Sequence, residues 1–302
     1  MCISALNERI EAYDPYGEQR LNGIKVVYIV MILFAVNFAL PIPNPYFYFF
    51  FAPVFSMIAE IAGQTIAEKY RNFFHCMIFS IITVFVFDYF AAYWFIFVLV
   101  FFYSLILYYS VINKQVYVVS IVPISLAMGA YSLLYEESNT NFYYIANNTL
   151  TLLLAMAVIF GALLCFPLSY YYRLWLRAVL LLTQQIIEHA SIILQHKEII
   201  FDPVKGHTTR LFRYANMLPR DFPTYSILKI SCLLNDLHLK ICVPEYDELI
   251  FDEQKINVLI EELTTFKAAV EQERPCELKN TSFMELDKII HSWNYVLKME
   301  KN

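Results

Sequence analysis

The sequence predicts an all-α protein in which a six-span helical membrane domain is followed by a cytoplasmic helical bundle. Composition is the first indication, because 59% of the residues are hydrophobic and 16% are charged, whereas soluble domains carry about 25% charged residues. The second is that long apolar runs with few charges occupy residues 24–168. The third is that apolar residues after position 169 recur at helical spacing among charged ones, which is typical of amphipathic helices.

These patterns divide the chain into three parts. Residues 1–23 form a polar N-terminal segment, expected to be cytoplasmic, in which Asp14-Pro15-Tyr16-Gly17 is typical of a turn. The transmembrane domain covers 24–168, and the cytoplasmic helical domain covers 169–302. Crossing a hydrocarbon layer of about 30 Å takes roughly 20 apolar residues. Six candidate spans come near that length: 24–40, 46–65, 73–87, 93–111, 116–134 and 145–168.

Basic residues lie in alternate connections between these spans. Lys69 and Arg71 lie between the second and third, Lys114 between the fourth and fifth, and Arg173 and Arg177 after the sixth. Short loops rich in lysine and arginine stay in the cytoplasm. Both termini are therefore expected to be cytoplasmic, in a multi-pass membrane protein.

The cytoplasmic domain has the pattern of a bundle of amphipathic helices. A long helix is expected to leave the membrane at about residue 170 and to end at the break formed by Asp202-Pro203. Thr281-Ser282-x-x-Glu285 has the pattern of a capping box at a helix start. Prolines separate four further predicted helices, at about 207–217, 224–241, 253–273 and 282–299.

The stretch from Tyr46 to Arg71 carries the most distinctive polar pattern of the membrane domain. Glu60, Gln64 and Glu68 recur at intervals of four residues, so on one continuous helix they would form a single polar stripe. A carboxylate at Glu60 would cost about 2.5–3.5 kcal/mol in lipid. We therefore expect it to face other helices or water, where it would bind and release a proton. The alternative is that Glu60 lies at headgroup depth and only solvates the helix end.

This stripe suggests a route for a small solute. Glu60, Gln64, Lys25 and Asn37 are the candidates for a substrate or proton pathway. Lys25 would attract an organic anion; its alternative role is that of a topology anchor at the membrane surface. The candidates for the cytoplasmic mouth of the route are Glu68, Lys69 and Arg71.

Neither a metal site nor an enzyme is expected. Cys232, His238 and Cys242 come nearest to a ligand set, but spacings of six and four residues are poor for zinc and no fourth ligand is apparent. The cysteines are expected to be reduced thiols, and no cofactor is predicted. The histidines form no catalytic motif such as His-Glu-x-x-His. His189 is expected on the solvated side of its helix.

Several features of the membrane half resemble a known family. A short proline-bearing loop follows the first span, and Ala62-Gly63-Gln64-x-x-Ala67-Glu68-Lys69-x-Arg71 leads directly into the third. Phe166-Pro167 ends the sixth span just before the amphipathic helix. In these features residues 20–182 resemble the fusaric acid resistance and aromatic acid exporter family, and more distantly the plant aluminium-activated malate transporters. Family members often have a glycine soon after the residue matching Arg71, where this chain has Asn72-Phe73-Phe74-His75.

The resemblance implies export of small organic, often aromatic, acids by transport units that contain more than one six-span block. We therefore expect an exporter whose partners are the lipid bilayer, a small organic anion and further copies of the chain, as a dimer or trimer. Nucleic acid is not an expected partner, because the net charge is −5 and no dense basic block is present. Two alternatives stay open: a non-transporting membrane scaffold or sensor with a partner-binding cytoplasmic domain, and an organic-anion channel.

Overall fold

The protein is helical throughout its described part, which confirms the all-α prediction. The computed structural model describes residues 10, 12–50, 63, 65–112, 121–135, 141–195, 206–219, 221–242, 253–278 and 281–300, and no strand occurs among them. The chain divides into two compact units. The apolar unit consists of Gln19–Phe166, and the amphipathic unit combines Met1–Glu18 with Pro167–Asn302.

The apolar unit contains helices of very different length. Three of them are long and apolar enough to cross a membrane: α1 (Glu18–Ala39), α3 (Ile66–Phe90) and α6 (Phe142–Cys165). The described parts of α4 (Ile96–Ile112) and α5 (Ile121–Tyr135) are shorter but equally apolar, and α2 covers only Pro45–Phe50. These helices fit a membrane protein. The count of six spans stays a prediction, because much of the second run lies outside the described residues.

Large apolar side chains cover the outside of this unit, as expected for a surface that faces lipid. Phe38 on α1 is 96% exposed, and Phe97 on α4 is 84% exposed. The interior is also apolar, and fully buried side chains from five helices belong to it, among them Ile29, Leu33, Tyr48, Phe73, Cys76, Met128, Leu152 and Met156. Hydrophobicity on both sides of a helix is typical of membrane domains.

Helix α3 begins at a different place from the one the sequence suggested. The stripe prediction required one helix to continue through Gln64 to Glu68, but Gly63 is not helical and Thr65 is the N-cap of α3. The Thr65 hydroxyl accepts a hydrogen bond from the backbone N–H of Glu68, at 3.2 Å. Thr65-x-x-Glu68 has the sequence pattern of a capping box. The predicted stripe is therefore wrong for Glu68, which belongs to the first turn of the next helix.

Helices α3 and α5 pack closely because α5 has no side chain at the point of contact. A Cβ atom on Gly129 would lie 2.5 Å from Cδ2 of Phe87 and 2.8 Å from Cγ2 of Thr83. Both distances are well inside van der Waals contact. By contrast, the same position on Gly161 in α6 has nothing within 4 Å.

These two glycines are expected to respond to alanine with opposite signs. Gly129→Ala should destabilise the protein by about 1–3 kcal/mol, because the added methyl group overpacks the contact with α3. Gly161→Ala should stabilise it by up to about 1 kcal/mol, since alanine has the higher helix propensity. Thermal unfolding of both variants in one detergent, followed by circular dichroism, measures the difference. A Gly129→Ala protein as stable as the unsubstituted one would contradict this packing.

In the amphipathic unit, α7 (Tyr170–Leu194) is the long helix that the sequence predicts. Arg173 and Arg177 are exposed, whereas the apolar positions of the opposite face are buried: Leu174, Ala178, Leu182, Ile186 and Ala190. The four later helices are confirmed to within two residues at each end. They are α8 (His207–Asn216), α9 (Thr224–Cys242), α10 (Glu253–Glu271) and α11 (Met284–Glu300).

The predicted capping box at the start of α11 is wrong. The helix begins at Met284, and the backbone N–H and hydroxyl of Ser282 both donate to the carboxylate of Glu262 on α10, at 2.9 and 3.1 Å. Glu285 instead accepts a 2.7 Å bond from Lys240 on α9. An acid from a neighbouring helix therefore replaces the local cap.

The N-terminal turn is confirmed, and it is part of the amphipathic unit. In Asp14-Pro15-Tyr16-Gly17 the glycine N–H donates to the aspartate carbonyl at 3.1 Å, and the glycine has a φ of 78°. Tyr16 is 2% exposed, with its ring 4.3 Å from the guanidinium carbon of Arg210 on α8. The carboxylate of Glu18 accepts a 2.8 Å bond from the hydroxyl of Tyr214. These contacts attach the segment before α1 to α8.

Candidate functional site

The predicted pathway residues are distributed over several elements. Glu60 and Gln64 lie outside the described residues, so the stripe they define stays a prediction. Lys25 lies in the second turn of α1 and Asn37 near its end. Twelve residues separate them, which is about 18 Å along a helix. The structure therefore does not bring these two side chains together.

Lys25 is buried, unlike a residue that anchors a helix at the membrane surface. Its side chain is 2% exposed and belongs to the buried face of α1, together with Ile29 and Leu33 at intervals of four residues. The ammonium group lies 5.4 Å from the centre of the Phe166 ring, within the distance at which a cation is attracted to an aromatic face. A topology anchor is expected to reach the headgroups, so the burial of Lys25 favours an internal role.

The three predicted mouth residues differ in exposure although they are almost adjacent in the chain. Glu68 is half-buried, Lys69 is 3% exposed and Arg71 is exposed. Lys69 heads the inward face of α3, which continues through Asn72, Phe73 and Cys76 at helical spacing. Recognition of the cap at Thr65 predicts the burial of Lys69, because Lys69 then falls on the same side of the helix as the apolar core positions.

Polar side chains join α3 to each of its neighbours. The hydroxyl of Ser80 lies 3.3 Å from that of Ser125 on α5, and Thr83 lies 2.8 Å from the hydroxyl of Tyr103 on α4. The hydroxyl of Tyr70 donates to the backbone carbonyl of Leu163 on α6 at 3.1 Å. Such bonds between apolar helices contribute about 0.6 kcal/mol each. They hold α3 as the central helix of the apolar unit.

Asp88 lies near the end of α3 and bonds to α5. Helix α3 continues past it to Phe90, and its carboxylate accepts a short hydrogen bond from the hydroxyl of Ser132 on α5. Ser132 is 1% exposed. The carboxylate of Asp88 therefore links the end of α3 to α5.

Two buried hydroxyl groups face the interior without a hydrogen-bond partner among the described residues. They belong to Tyr48 on α2, which is 1% exposed, and Thr151 on α6, which is 2% exposed. Helices α2 and α6 pack against each other. Buried hydroxyls are normally satisfied, because leaving one unpaired costs about 1–3 kcal/mol. The sequence does not distinguish these two hydroxyls, because Tyr48 lies in an aromatic run and Thr151 in an apolar one.

The buried faces of α1, α2, α3 and α6 thus carry polar side chains as well as apolar ones. Two ammonium groups, Lys25 and Lys69, supply positive charge, and hydroxyl and amide groups supply hydrogen bonds. The amides belong to Asn72 on α3 and Asn148 on α6, both 3% exposed. No family model matches this chain, and a comparison with curated proteins finds no match either. The resemblance to aromatic acid exporters therefore stays an expectation, and the case for a function rests on the positions and burial of these polar groups.

Proposed function

We propose that the protein is a bacterial inner-membrane transporter that exports small organic acids, with aromatic acids among its substrates. The observation that carries this proposal is the burial of Lys25 and Lys69 in the inward faces of α1 and α3, inside a unit whose helices are mainly apolar. A lysine within a membrane segment costs about 2.5–3.5 kcal/mol on insertion scales. Such residues usually line a substrate or ion route rather than stabilise the fold.

The chemistry of these groups matches a carboxylate with an apolar or aromatic body. An ammonium group attracts the carboxylate, and a hydroxyl such as that of Tyr48 donates a hydrogen bond to it. The ring of Phe166, which lies against Lys25, offers an aromatic face beside the charge. A substrate that brings its own negative charge also lowers the cost of the buried lysines.

The wider expectations belong to the same proposal. They are six spans, both termini in the cytoplasm, assembly as a dimer or trimer, and proton coupling through Glu60. Support for the orientation comes from Lys114, Arg173 and Arg177 in the sequence and from Arg71, which is exposed near the start of α3. An organic-anion channel would use the same cationic groups, and it differs in that its flux would not respond to an imposed pH gradient.

Uptake into proteoliposomes tests the transport proposal. The purified protein is reconstituted and offered a panel of aromatic and dicarboxylic acids, with and without a pH gradient. Lys25→Gln and Lys69→Gln are each expected to lower uptake at least tenfold, because each removes a buried positive charge, and Lys25→Arg should retain more activity than Lys25→Gln. Lys255 is exposed on α10, so Lys255→Gln makes the same chemical change as a control and should transport normally. If the Lys25→Gln and Lys69→Gln proteins both take up the acids at the wild-type rate, the proposed role of these charges is refuted.

A second candidate function is that of a membrane scaffold or sensor, and an open pocket in the amphipathic unit favours it. The pocket has a volume of about 410 Å³ and lies between α9 and α11. Its lining includes exposed Tyr225 and Tyr295 together with Lys229 and His291. This size is within the range of sites for small molecules, about 300–1,000 Å³. Uptake equal to that of empty liposomes for every acid of the panel would favour this second candidate.

A further inference from the structure

Two histidines and a cysteine converge in the amphipathic unit, far along the chain from the transport candidates. Nδ1 of His189 lies 3.2 Å from Sγ of Cys242, and the same sulfur lies 3.4 Å from Nε2 of His238. One nitrogen of each histidine and the sulfur all lie within 4.8 Å of one another. The two imidazole rings are stacked, with centroids 5.4 Å apart and planes inclined by 20°.

The packing of two helices assembles this trio. His238 and Cys242 are four residues apart at the end of α9, so they share one face of that helix. His189 comes from α7, which packs against α9. His189 is 8% exposed and His238 is 6% exposed. The prediction that His189 lies on the solvated side of its helix is therefore wrong, because α9 covers it.

Cys232, which the sequence suggested as the third member of a ligand set, is not part of the trio. It is exposed on the same helix. The ten residues between Cys232 and Cys242 place their side chains on different faces, since ten residues are not a whole number of helical turns. The third residue of the trio is His189, which lies almost fifty residues before His238. The spacing of residues along the chain therefore does not reveal it.

The two N···S distances suit a metal ion that binds both nitrogen and sulfur. With Zn–N near 2.0–2.1 Å and Zn–S near 2.3 Å, tetrahedral ligands are separated by about 3.4–3.6 Å. The two N···S distances of 3.2 and 3.4 Å are close to this. One S–H···N and one N–H···S hydrogen bond can also join the three side chains, whereas one cation binds all three atoms at once.

We propose that His189, His238 and Cys242 form a zinc-binding site that joins α7 to α9. Borderline-soft Zn²⁺ is well matched to two imidazoles and one thiolate. Binding converts the Cys242 thiol to a thiolate and releases its proton to solvent, so one Zn–S and two Zn–N bonds form as one S–H bond breaks. The three protein ligands leave the fourth tetrahedral position to water or to an exchangeable ligand.

The site gives the amphipathic unit a link that depends on zinc. Helix α7 is the first helix after the apolar unit in the chain, and α9 also packs against α8 and α11. A metal that joins α7 to α9 therefore fixes the start of the bundle to its centre. This inference is independent of the transport proposal, because it uses no residue of the apolar unit.

Metal titration of the full-length protein in detergent tests the site. The protein is stripped with a chelator under reducing conditions and then titrated with Zn²⁺ against a chromophoric competitor. We expect one equivalent per chain. Loss of an outer-shell partner alone weakens metal binding about 10–100-fold, so His189→Gln, His238→Gln and Cys242→Ser should each weaken binding at least about 100-fold.

Cobalt substitution supplies a readout specific to the ligand set. Co²⁺ in the wild-type site should show the intense visible bands of tetrahedral coordination and a near-ultraviolet band from the thiolate. Cys242→Ser is nearly isosteric and should abolish the thiolate band, while Cys232→Ser, which removes an exposed thiol from the same helix, should leave both spectrum and stoichiometry unchanged. The proposal is overturned by a wild-type protein that binds no zinc, or by a Cys242→Ser protein that binds it with wild-type affinity.

Discussion

Replacing Trp293 by alanine is expected to open the C-terminal part of the amphipathic unit. The indole is fully buried on α11, its Nε1–H donates to the backbone carbonyl of Arg274 at 3.0 Å, and its ring meets that of Phe266 on α10 edge-on. Truncation of a buried tryptophan to alanine costs about 3–5 kcal/mol. Because the carbonyl of Arg274 also loses its donor, we expect a value toward the upper end.

A buried thiol close to Trp293 provides the measurement. Cys276 is 4% exposed, and its backbone N–H and carbonyl are both bonded to the side chain of Asn294, at 2.8 and 2.9 Å. A local destabilisation of 3–5 kcal/mol raises the open population by a factor of about 10²–10³ or more. The rate at which maleimide labels Cys276, localised by peptide mass spectrometry, should rise accordingly. Cys232, which is exposed, is the internal standard within the same sample.

Two further variants make the Trp293 experiment specific. Trp293→Phe keeps most of the apolar volume but lacks the N–H donor, so the labelling rate should lie between those of the wild type and Trp293→Ala. Trp94 is 88% exposed in the turn before α4, and Trp94→Ala should leave Cys276 protected. If Trp293→Ala labels Cys276 no faster than Trp94→Ala does, the described core around α11 is incorrect.

Alanine at Gly63 is expected to disturb the start of α3, where Lys69, one of the two buried lysines of the apolar unit, lies. A Cβ on Gly63 would be 2.6 Å from the backbone nitrogen of Lys69 and 2.8 Å from its Cα. Backbone atoms cannot move aside as the end of a side chain can. We therefore expect a destabilisation of about 1–3 kcal/mol from overpacking, together with a displacement of Lys69.

The Gly63 experiment needs a stability and a transport measurement. Gly63→Ala should lower the thermal unfolding temperature in detergent and should lower organic-acid uptake, since Lys69 is one of the two proposed anion-binding charges. Gly23 on α1 has nothing within 4 Å of its Cβ position, so Gly23→Ala is the matched control and should unfold no earlier than the wild type. Unchanged stability in Gly63→Ala would show that the approach of Gly63 to α3 is not close in solution.

Much of the helical organisation follows from local pattern. The four helices from α8 to α11 begin and end within two residues of the predicted positions, because prolines and a 3.6-residue period are both local signals. The turn at Asp14-Pro15-Tyr16-Gly17 is equally local. The box at Thr281-Ser282-x-x-Glu285 was predicted but does not form, since Glu262 from α10 occupies its place.

The candidate site was harder to predict, because its residues are identified by which side of each helix is buried against other helices. The sequence identified Lys25 and Lys69 as candidates, but it supported a surface anchor as well as an internal charge for Lys25. Among the described residues α3 makes the polar bonds to α4, α5 and α6, whereas Glu60 and Gln64 of the second span lie outside them. The signal for that role, Thr65-x-x-Glu68, lay within the stretch that was interpreted as one continuous helix.

What the sequence determined by itself is the helical class, the concentration of apolar runs before residue 168 and the amphipathic period after it, because backbone hydrogen bonding and hydrophobic periodicity act within a few turns of chain. Only the tertiary structure decided that Lys25 and Lys69 are buried and that His189 meets His238 and Cys242. Those facts depend on contacts between helices that are distant in sequence. Burial depends on the helices that cover a side chain, whereas a local pattern such as the one at Lys69 shows only which side of its own helix is apolar.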